Sequence, residues 1–229
     1  MSLFFQQEEG YYSLTTAGTA AFIAIIVILL LLTALLRSRV DTQDKKSKTF
    51  SARQLVFSAM ALALGFATSY IKIIDMPWGG SVTLCSMLFV TLIGYWYGPK
   101  IGLSAGFAYG ILQFVQGGGG YILSPMQACM DYILAFAALG LSGFFYKKNN
   151  GLIRGYLLAV FIRGLFHSIG GYLYWMDYMP DNFPKSLASI YPIAYNYAYI
   201  LIEAAITIVI LLLPPVKQAM NRVKAMATE

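Results

Sequence analysis

Residues 117–143, with the sequence GGGGYILSPMQACMDYILAFAALGLSG, decide the class of fold. Pro125 opens an apolar run of about twenty residues, which is the length that a helix needs to cross a bilayer. One acid, Asp131, lies inside this run. A carboxylate at membrane depth costs roughly 2.5–3.5 kcal/mol on insertion scales, so it usually faces a cavity or a partner side chain. Asp131 therefore belongs either to a functional site or to a structural pair with another helix.

The composition of the whole chain is that of a membrane protein. Apolar residues make up 59% of its 229 residues, and charged residues only 11%. A chain of this length has room for about seven spans of ~20 residues. We therefore predict an all-α membrane protein, with a six-helix transmembrane bundle and one extra N-terminal transmembrane helix. The candidate spans are 15–36, 54–74, 82–97, 101–116, 125–146, 152–176 and 193–213.

The sequence lacks motifs for covalent or nucleotide-driven chemistry. It contains no cluster of His and Cys residues, no GxxxxGK[ST] phosphate loop and no serine nucleophile elbow. The two cysteines, Cys85 and Cys129, lie in apolar segments and are interpreted as small hydrophobic residues. We therefore predict that the chain is not an enzyme and that it needs no metal and no cofactor.

Basic residues are concentrated on one predicted side of the membrane. The segment 37–53 carries six of the 16 Lys and Arg residues, and seven more lie in later loops and the tail on the same side. The positive-inside rule therefore predicts a plasma-membrane protein with an external N-terminus and a cytoplasmic C-terminus. The net charge of +6 is interpreted as an orientation and lipid-headgroup signal, not as a nucleic-acid footprint.

The chain divides into five predicted segments. Residues 15–36 contain no ionisable side chain, so we expect a peripheral helix that takes no part in the site. The segment before this helix is polar and acidic, and we expect it to be poorly ordered. The segments are an external polar tail (1–14), the extra transmembrane helix (15–36), a basic cytoplasmic linker (37–53), a six-helix substrate-binding membrane domain (54–213) and a basic cytoplasmic tail (214–229).

Small residues recur at every fourth position in the first helix of the six-helix domain. Ala59, Ala63 and Ala67 therefore share one helix face. Small side chains let another membrane helix approach closely. This face is either a docking surface for a partner or an internal packing surface of this chain.

Polar side chains also share a face in the segment 152–176. Arg163 and His167 are four residues apart, and Trp175 lies eight residues further on. Each brings donors that need partners inside a membrane, which favours a binding site over core packing. In the last span, Glu203 either lines a cavity or pairs with a neighbouring helix.

Two loops on the predicted outer side have open roles. Trp78 lies in the loop DMPWGGS and is either an interfacial belt residue or a lid over an external site. The four glycines at 117–120 give a backbone that adopts many conformations, and they form either a hinge or a plain connector.

The polar groups in the outer halves of the predicted helices suit a flat organic cation. A carboxylate offsets the charge, and desolvated aromatic rings attract a cation by ~2 kcal/mol or more. An Asn side chain can both donate to and accept from the edge of a heteroaromatic ring. The residues of this predicted outer site are Tyr121, Asp131, Tyr132, Arg163, His167, Trp175, Tyr191 and Asn196.

These residues resemble those of a known family, the thiamine-specific substrate-binding (S) components of energy-coupling factor (ECF) transporters. The family pattern of a tyrosine, an apolar-Pro-Gln stretch, an acid followed by tyrosine and a run of small residues matches YILSPMQACMDYILAFAALGLSG. A second pattern, a basic residue followed by His, Trp and a Tyr-x-x-x-x-Asn pair, matches the segment 163–196. The resemblance covers roughly residues 54–213.

The resemblance implies an outward-facing pocket that captures thiamine for a separate module, made of a membrane coupling subunit and two ATPase subunits. It also implies that Ala59, Ala63 and Ala67 dock on the coupling subunit. Arg163 would stand at a basic position of the family. The residues implied to contact thiamine are Trp78, Tyr121, Asp131, Tyr132, His167, Trp175, Tyr191 and Asn196.

Two departures from the family keep alternatives open. Asp131 stands where the family usually has Glu, and Arg163 replaces a Lys, with which it is not interchangeable as a donor. One alternative is therefore an S component for a thiamine precursor. Another is a stand-alone secondary carrier for a small organic cation, with Asp131, Arg163, His167 and Glu203 as a proton path. A membrane scaffold, or a membrane enzyme without a visible catalytic motif, is the third.

Overall fold

The computed structural model describes residues 3–8, 10–25, 28 and 51–229. Most of the predicted linker 37–53 and the second half of the first predicted span therefore lie outside the described residues.

The described chain is helical, with two short β-hairpins. The strands are β1 (Phe5–Glu8), β2 (Tyr11–Leu14), β3 (Lys72–Asp75) and β4 (Ser81–Thr83). The helices are α1 (Thr16–Ile25), α2 (Ala52–Ser69), α3 (Ser86–Tyr97), α4 (Pro99–Gln116), α5 (Pro125–Phe145), α6 (Gly151–Tyr174), α7 (Tyr191–Leu212) and α8 (Pro214–Thr228). Short 3-10 turns lie at Gly118–Gly120, Met176–Tyr178 and Lys185–Ile190.

The architecture confirms the predicted all-α membrane bundle, in which α2–α7 form the six-helix body. Among the described helices, α5, α6 and the stretch Lys185–Leu212 that includes α7 are long and apolar enough to cross a membrane. As described, α1 and α3 are apolar but shorter.

Close backbone contacts hold α3, α4 and α5 together. A Cβ atom placed on Gly94 of α3 would lie 2.7 Å from the carbonyl oxygen of Gly140 of α5. A Cβ atom placed on Gly102 of α4 would lie 2.7 Å from the Cα atom of Gly94. Glycine is therefore required where these helices meet, because added methyl groups would force the backbones apart. Inserting extra carbons into such a packed core typically costs about 1–3 kcal/mol.

Local signals fix the ends of α2. Ser51 Oγ accepts a hydrogen bond from the backbone N–H of Gln54, and Gln54 Oε1 accepts one from the N–H of Ser51. This reciprocal capping box satisfies two backbone donors at the start of the helix. The helix ends at Ser69, so the predicted span 54–74 is too long: its last residues enter β3, which pairs with β4 in an antiparallel hairpin.

The prediction of a poorly ordered segment 1–14 is wrong for β1 and β2, which form an antiparallel hairpin. Tyr12 of this hairpin also makes a β-bridge with Ile122, in the loop between α4 and α5. The reason is that the hairpin gains a backbone partner from a distant part of the chain, which the polar composition of the segment does not reveal.

The predicted tail 214–229 forms a helix, α8, that folds back on the body. Pro214 and the apolar residues Val216, Met220 and Val223 explain this, since proline suits the first helical turn and the apolar residues recur at helical spacing. The hydroxyl of Tyr97 donates to the carbonyl oxygen of Ala227 at 3.1 Å. The tail thus covers the end of the bundle opposite the site described next.

Candidate functional site

One end of the bundle encloses a cavity of about 760 Å³. It lies between the β3–β4 loop, the glycine-rich loop after α4, the start of α5, the second half of α6 and the first half of α7. All nine residues predicted from the sequence border it: Trp78, Tyr121, Asp131, Tyr132, Arg163, His167, Trp175, Tyr191 and Asn196. Residues separated by more than a hundred positions are thereby brought to one space.

Asp131 lies on an irregular turn of α5. Residues Cys129–Leu134 form a π-helical turn between two α-helical pieces, and such turns frequently occur at functional sites. Asp131 Oδ2 accepts hydrogen bonds from Gln127 Nε2 at 2.7 Å and from Trp175 Nε1 at 3.2 Å. Gly170 leaves room for the acid, because a Cβ atom there would lie 2.9 Å from Asp131 Oδ1. The carboxylate is therefore held in one orientation at the cavity wall.

His167 lies between the acid and Arg163. Its Nδ1 atom is 3.5 Å from Asp131 Oδ1, and its Nε2 atom accepts a hydrogen bond from Arg163 Nε at 3.4 Å. The guanidinium of Arg163 also stacks over the ring of Phe136, 4.3 Å from its centroid. The imidazole thus lies between the carboxylate and the guanidinium, and it separates an acidic part of the cavity from a basic part.

Aromatic rings form the wall beside Asp131. The rings of Tyr121 and Trp175 stack at a centroid distance of 5.5 Å and an angle of 23°. The Tyr121 hydroxyl also contacts the hydroxyl of Tyr178. Burial, and then the hydrogen bond with Tyr178, raise the pKa of Tyr121, so this hydroxyl stays protonated near neutral pH. The wall therefore offers flat, uncharged surfaces next to a carboxylate.

Trp78 lies at the rim of the cavity, on the β3–β4 loop. Its backbone N–H donates to the hydroxyl of Tyr195 at 2.9 Å, and that hydroxyl donates to the carbonyl oxygen of Gly79 at 3.1 Å. The Trp78 side chain is 46% exposed while it borders the cavity. Trp78 therefore lies where a lid over the cavity would lie, and its exposed rim position also suits an interfacial belt residue.

Asn196 is engaged with the protein. Its Nδ2 atom donates to the carbonyl oxygens of His167 and Pro192, at 3.2 and 2.8 Å, and its Oδ1 atom accepts from the Tyr199 hydroxyl at 3.1 Å. An amide nitrogen has two hydrogens to donate, so both are already used. The sequence expectation that this amide offers a donor to a ligand is therefore wrong for this arrangement, and one lone pair on Oδ1 remains for a ligand donor.

Glu203 combines the two alternatives considered from the sequence. It borders the cavity and is 3% exposed. Its carboxylate accepts hydrogen bonds from the backbone N–H groups of Thr83 and Met87, at 2.9 and 3.1 Å, and from the Thr83 hydroxyl at 2.7 Å. An acid at the start of a helix satisfies unpaired N–H groups and the positive end of the helix dipole. Glu203 thus anchors the start of α3 to α7.

Two residues at the cavity, Gln127 and Tyr178, are not among those predicted from the sequence. Gln127 is 1% exposed and lies four residues before Asp131, so helical spacing is the signal that identifies it as a partner of the acid. Tyr178 lies on a 3-10 turn, in a loop whose sequence shows no periodicity. Only the folded loop brings this ring next to the ring of Trp175, with the two centroids 5.3 Å apart.

The alanine face of α2 points away from the bundle. Ala59, Ala63 and Ala67 are exposed, whereas Ala61 and Gly65 on the other face are buried. Of the two alternatives, internal packing within this chain therefore does not match the structure.

The chain is similar to known transporters. It matches the family described as Thiamine transporter protein (Thia_YuaJ) over residues 55–222. It is 32% identical over 171 residues to "Thiamine transporter ThiT" of Bacillus subtilis (strain 168), which covers 69% of this chain and 85% of that protein. A protein of the same name from Lacticaseibacillus paracasei is 25% identical over 185 residues, covering 73% of this chain and 87% of that protein.

A solved structure extends the similarity to the fold. The structure of ThiT from Listeria monocytogenes superposes with a TM-score of 0.55 at 26% identity, and covers 71% of this chain and 94% of that chain. The matched family region contains all of α2–α7, apart from the first residues of α2, and every residue of the cavity wall named above. The chain therefore belongs to the thiamine transporter protein family.

Proposed function

We propose that this chain is the substrate-capturing S component of an ECF-type vitamin importer, and that it binds thiamine in the cavity. The observation that carries the proposal is the Asp131 carboxylate, held at the cavity wall by Gln127 and Trp175 beside stacked aromatic rings. The thiazolium ring of thiamine has a permanent positive charge and a flat face. A fixed carboxylate and flat rings are the groups that such a ligand requires.

The contacts suggest how the ligand is oriented. The cationic ring is expected on the Asp131 side of His167, and uncharged polar groups of thiamine on the side of Arg163, because the guanidinium repels a cation. Water-poor surroundings strengthen both effects. The proposed contacts are Trp78, Tyr121, Asp131, Tyr132, Arg163, His167, Trp175, Tyr191 and Asn196, with Asn196 acting through its carbonyl oxygen.

Import also requires an energy source, which we assign to other chains. The proposed partners are a membrane coupling subunit and two ATPase subunits, and the role of this chain is capture rather than catalysis. The exposed face of Ala59, Ala63 and Ala67 is the proposed docking surface, because small side chains let the coupling subunit approach closely. The opposite face of α2 packs inside the chain, so one helix contacts both the partner and the body.

The distribution of charge supports an orientation in the cell membrane. Lys217, Arg222 and Lys224 all lie on α8, at the end of the bundle opposite the cavity. Basic segments remain cytoplasmic, so the cavity opens outward, the N-terminus is external and the C-terminus is cytoplasmic. The proposed segments remain the external 1–14, the extra helix 15–36, the linker 37–53, the six-helix domain 54–213 and the cytoplasmic 214–229.

The ring of Trp175 gives a direct test of this site. Thiamine binding should quench tryptophan fluorescence of the purified chain, and Trp175→Ala should weaken binding by about 1–3 kcal/mol, the range for a base stacked on an aromatic side chain. This corresponds to a dissociation constant roughly 5 to 150 times higher. Calorimetry measures the affinity without depending on the fluorophore.

A matched variant separates the two roles of Trp175. Trp175→Phe keeps a flat ring but removes the Nε1–H that donates to Asp131. It should bind more tightly than Trp175→Ala and show a smaller quench than the parent. Parent-like affinity in Trp175→Ala would exclude stacking on this ring.

A further inference from the structure

The N-terminal hairpin, defined as β1 and β2, lies outside the family region 55–222 and yet contacts the site. Its attachment is a pair of backbone hydrogen bonds. The Tyr12 N–H donates to the Ile122 carbonyl oxygen, and the Ile122 N–H donates to the Tyr12 carbonyl oxygen, both at 2.7 Å. Ile122 directly follows Tyr121, a residue of the cavity wall. The hairpin thus adds a strand contact to the segment that carries one wall of the cavity.

A second contact reaches Tyr121 itself. The ring of Tyr11 stacks on the ring of Tyr121, with centroids 4.1 Å apart and an angle of 25°. Tyr121 also stacks on Trp175, whose Nε1 atom donates to Asp131. A continuous line of contacts therefore runs from the hairpin to the acid of the site.

The segment held in this way begins with residues that allow many backbone conformations. Four consecutive glycines, 117–120, precede Tyr121, and glycine restricts the backbone least of all residues. Leu14 of the hairpin packs on this segment, since a Cβ atom on Gly119 would lie 2.8 Å from Leu14 Cδ1. The rings of Phe22 of α1 and Phe114 of α4 lie with their centroids 5.2 Å apart. This contact attaches the helix that follows the hairpin to the bundle.

We propose that the N-terminal hairpin is a strap that holds Tyr121 against Trp175 and thereby slows the release of the bound ligand, with Tyr11 as a positioning residue. This inference rests on the proposed binding of thiamine in the cavity. A wall on a glycine-rich segment must move for the ligand to leave, and the strap opposes that movement through the Tyr11 ring and the two backbone hydrogen bonds.

The test is the dissociation rate of thiamine from the purified full chain, followed by stopped-flow tryptophan fluorescence. Tyr11→Ala should accelerate dissociation roughly three- to tenfold, because it removes one aromatic pair. The association rate should change less, since most differences between related complexes lie in dissociation. Tyr11→Phe keeps the ring and should restore the parent rate.

The neighbouring residue gives a matched control. Tyr12 is 44% exposed, and its hydrogen bonds with Ile122 join backbone atoms. Tyr12→Ala should therefore leave the dissociation rate unchanged, whereas Tyr12→Pro removes the N–H that bonds to Ile122 and should accelerate dissociation. The melting temperature of each variant checks that the body stays folded.

The possible outcomes separate this inference from the proposed function. If the parent chain binds thiamine and Tyr11→Ala releases it at the parent rate, the strap is excluded. Equal acceleration in Tyr11→Ala and Tyr12→Ala would also exclude the specific role of Tyr11. If the parent chain itself does not bind thiamine, the proposed function is excluded, and the strap, which rests on it, is excluded with it.

Discussion

Asp131→Asn is expected to lower the affinity for thiamine by at least about tenfold. The change removes the negative charge that faces a permanent cation and keeps the size of the side chain. Truncating one partner of a buried charge pair typically costs ~2–5 kcal/mol, and 1.4 kcal/mol already corresponds to tenfold. Calorimetry of thiamine binding to the two purified proteins measures the difference.

A neutral ligand separates the charge from the shape of the site. The new amide nitrogen of Asp131→Asn would meet donors of Gln127, Trp175 or His167, which all point at the carboxylate. This local cost weakens the binding of every ligand. Because the pyrimidine moiety of thiamine is neutral, its loss of affinity reports this local cost without the lost charge attraction. The affinity for the pyrimidine should fall much less than the affinity for thiamine.

Two further variants complete this test. Asp181→Asn removes an exposed carboxylate from the loop between α6 and α7 and should leave thiamine affinity unchanged, which controls for long-range charge. Asp131→Glu keeps the charge, restores the residue usual in the family and should be tolerated. Equal losses for thiamine and the neutral pyrimidine in Asp131→Asn would assign Asp131 a structural role.

Ala63→Trp is expected to abolish thiamine uptake by cells while leaving binding by the purified chain intact. Ala63 lies in the middle of the exposed alanine face, where a large ring would separate α2 from its partner helix. Overpacking a close contact costs about 1–3 kcal/mol, which weakens docking roughly 5 to 150 times. Radiolabelled thiamine uptake and calorimetry measure the two properties separately.

Two control variants define the docking surface. Val209→Trp places the same ring on α7 at a position that is 62% exposed, and uptake should persist. Ala61→Trp places it on the buried face of α2, and both binding and uptake should be lost. Loss of binding in Ala63→Trp would show that this face packs inside the protein.

The sequence singles out the residues of the candidate site because their chemistry is unusual for a membrane segment. A lone acid such as Asp131, or the Arg163–His167–Trp175 face, needs partners there, and this requirement singles out each residue before any contact is known. The helices that carry them are also predictable, since long apolar runs have few alternatives. The nine site residues predicted from the sequence all border one cavity.

The remaining features depend on contacts between distant parts of the chain. The hairpin at Tyr11 and Tyr12 is stabilised by Ile122, and a polar segment does not reveal that such a partner exists. The role of Asn196 changes because the backbone at His167 uses its donors. The role of Glu203 also depends on distant segments, because its hydrogen-bonding partners lie on β4 and α3. Spacing along one helix contains none of this information.

Equilibrium binding of thiamine to the purified chain, in the absence of any other subunit, tests the central claim most directly. Isothermal calorimetry should show saturable binding of one thiamine per chain. The neutral pyrimidine moiety should displace thiamine only at a higher concentration. An absence of saturable binding by the folded chain would contradict the account.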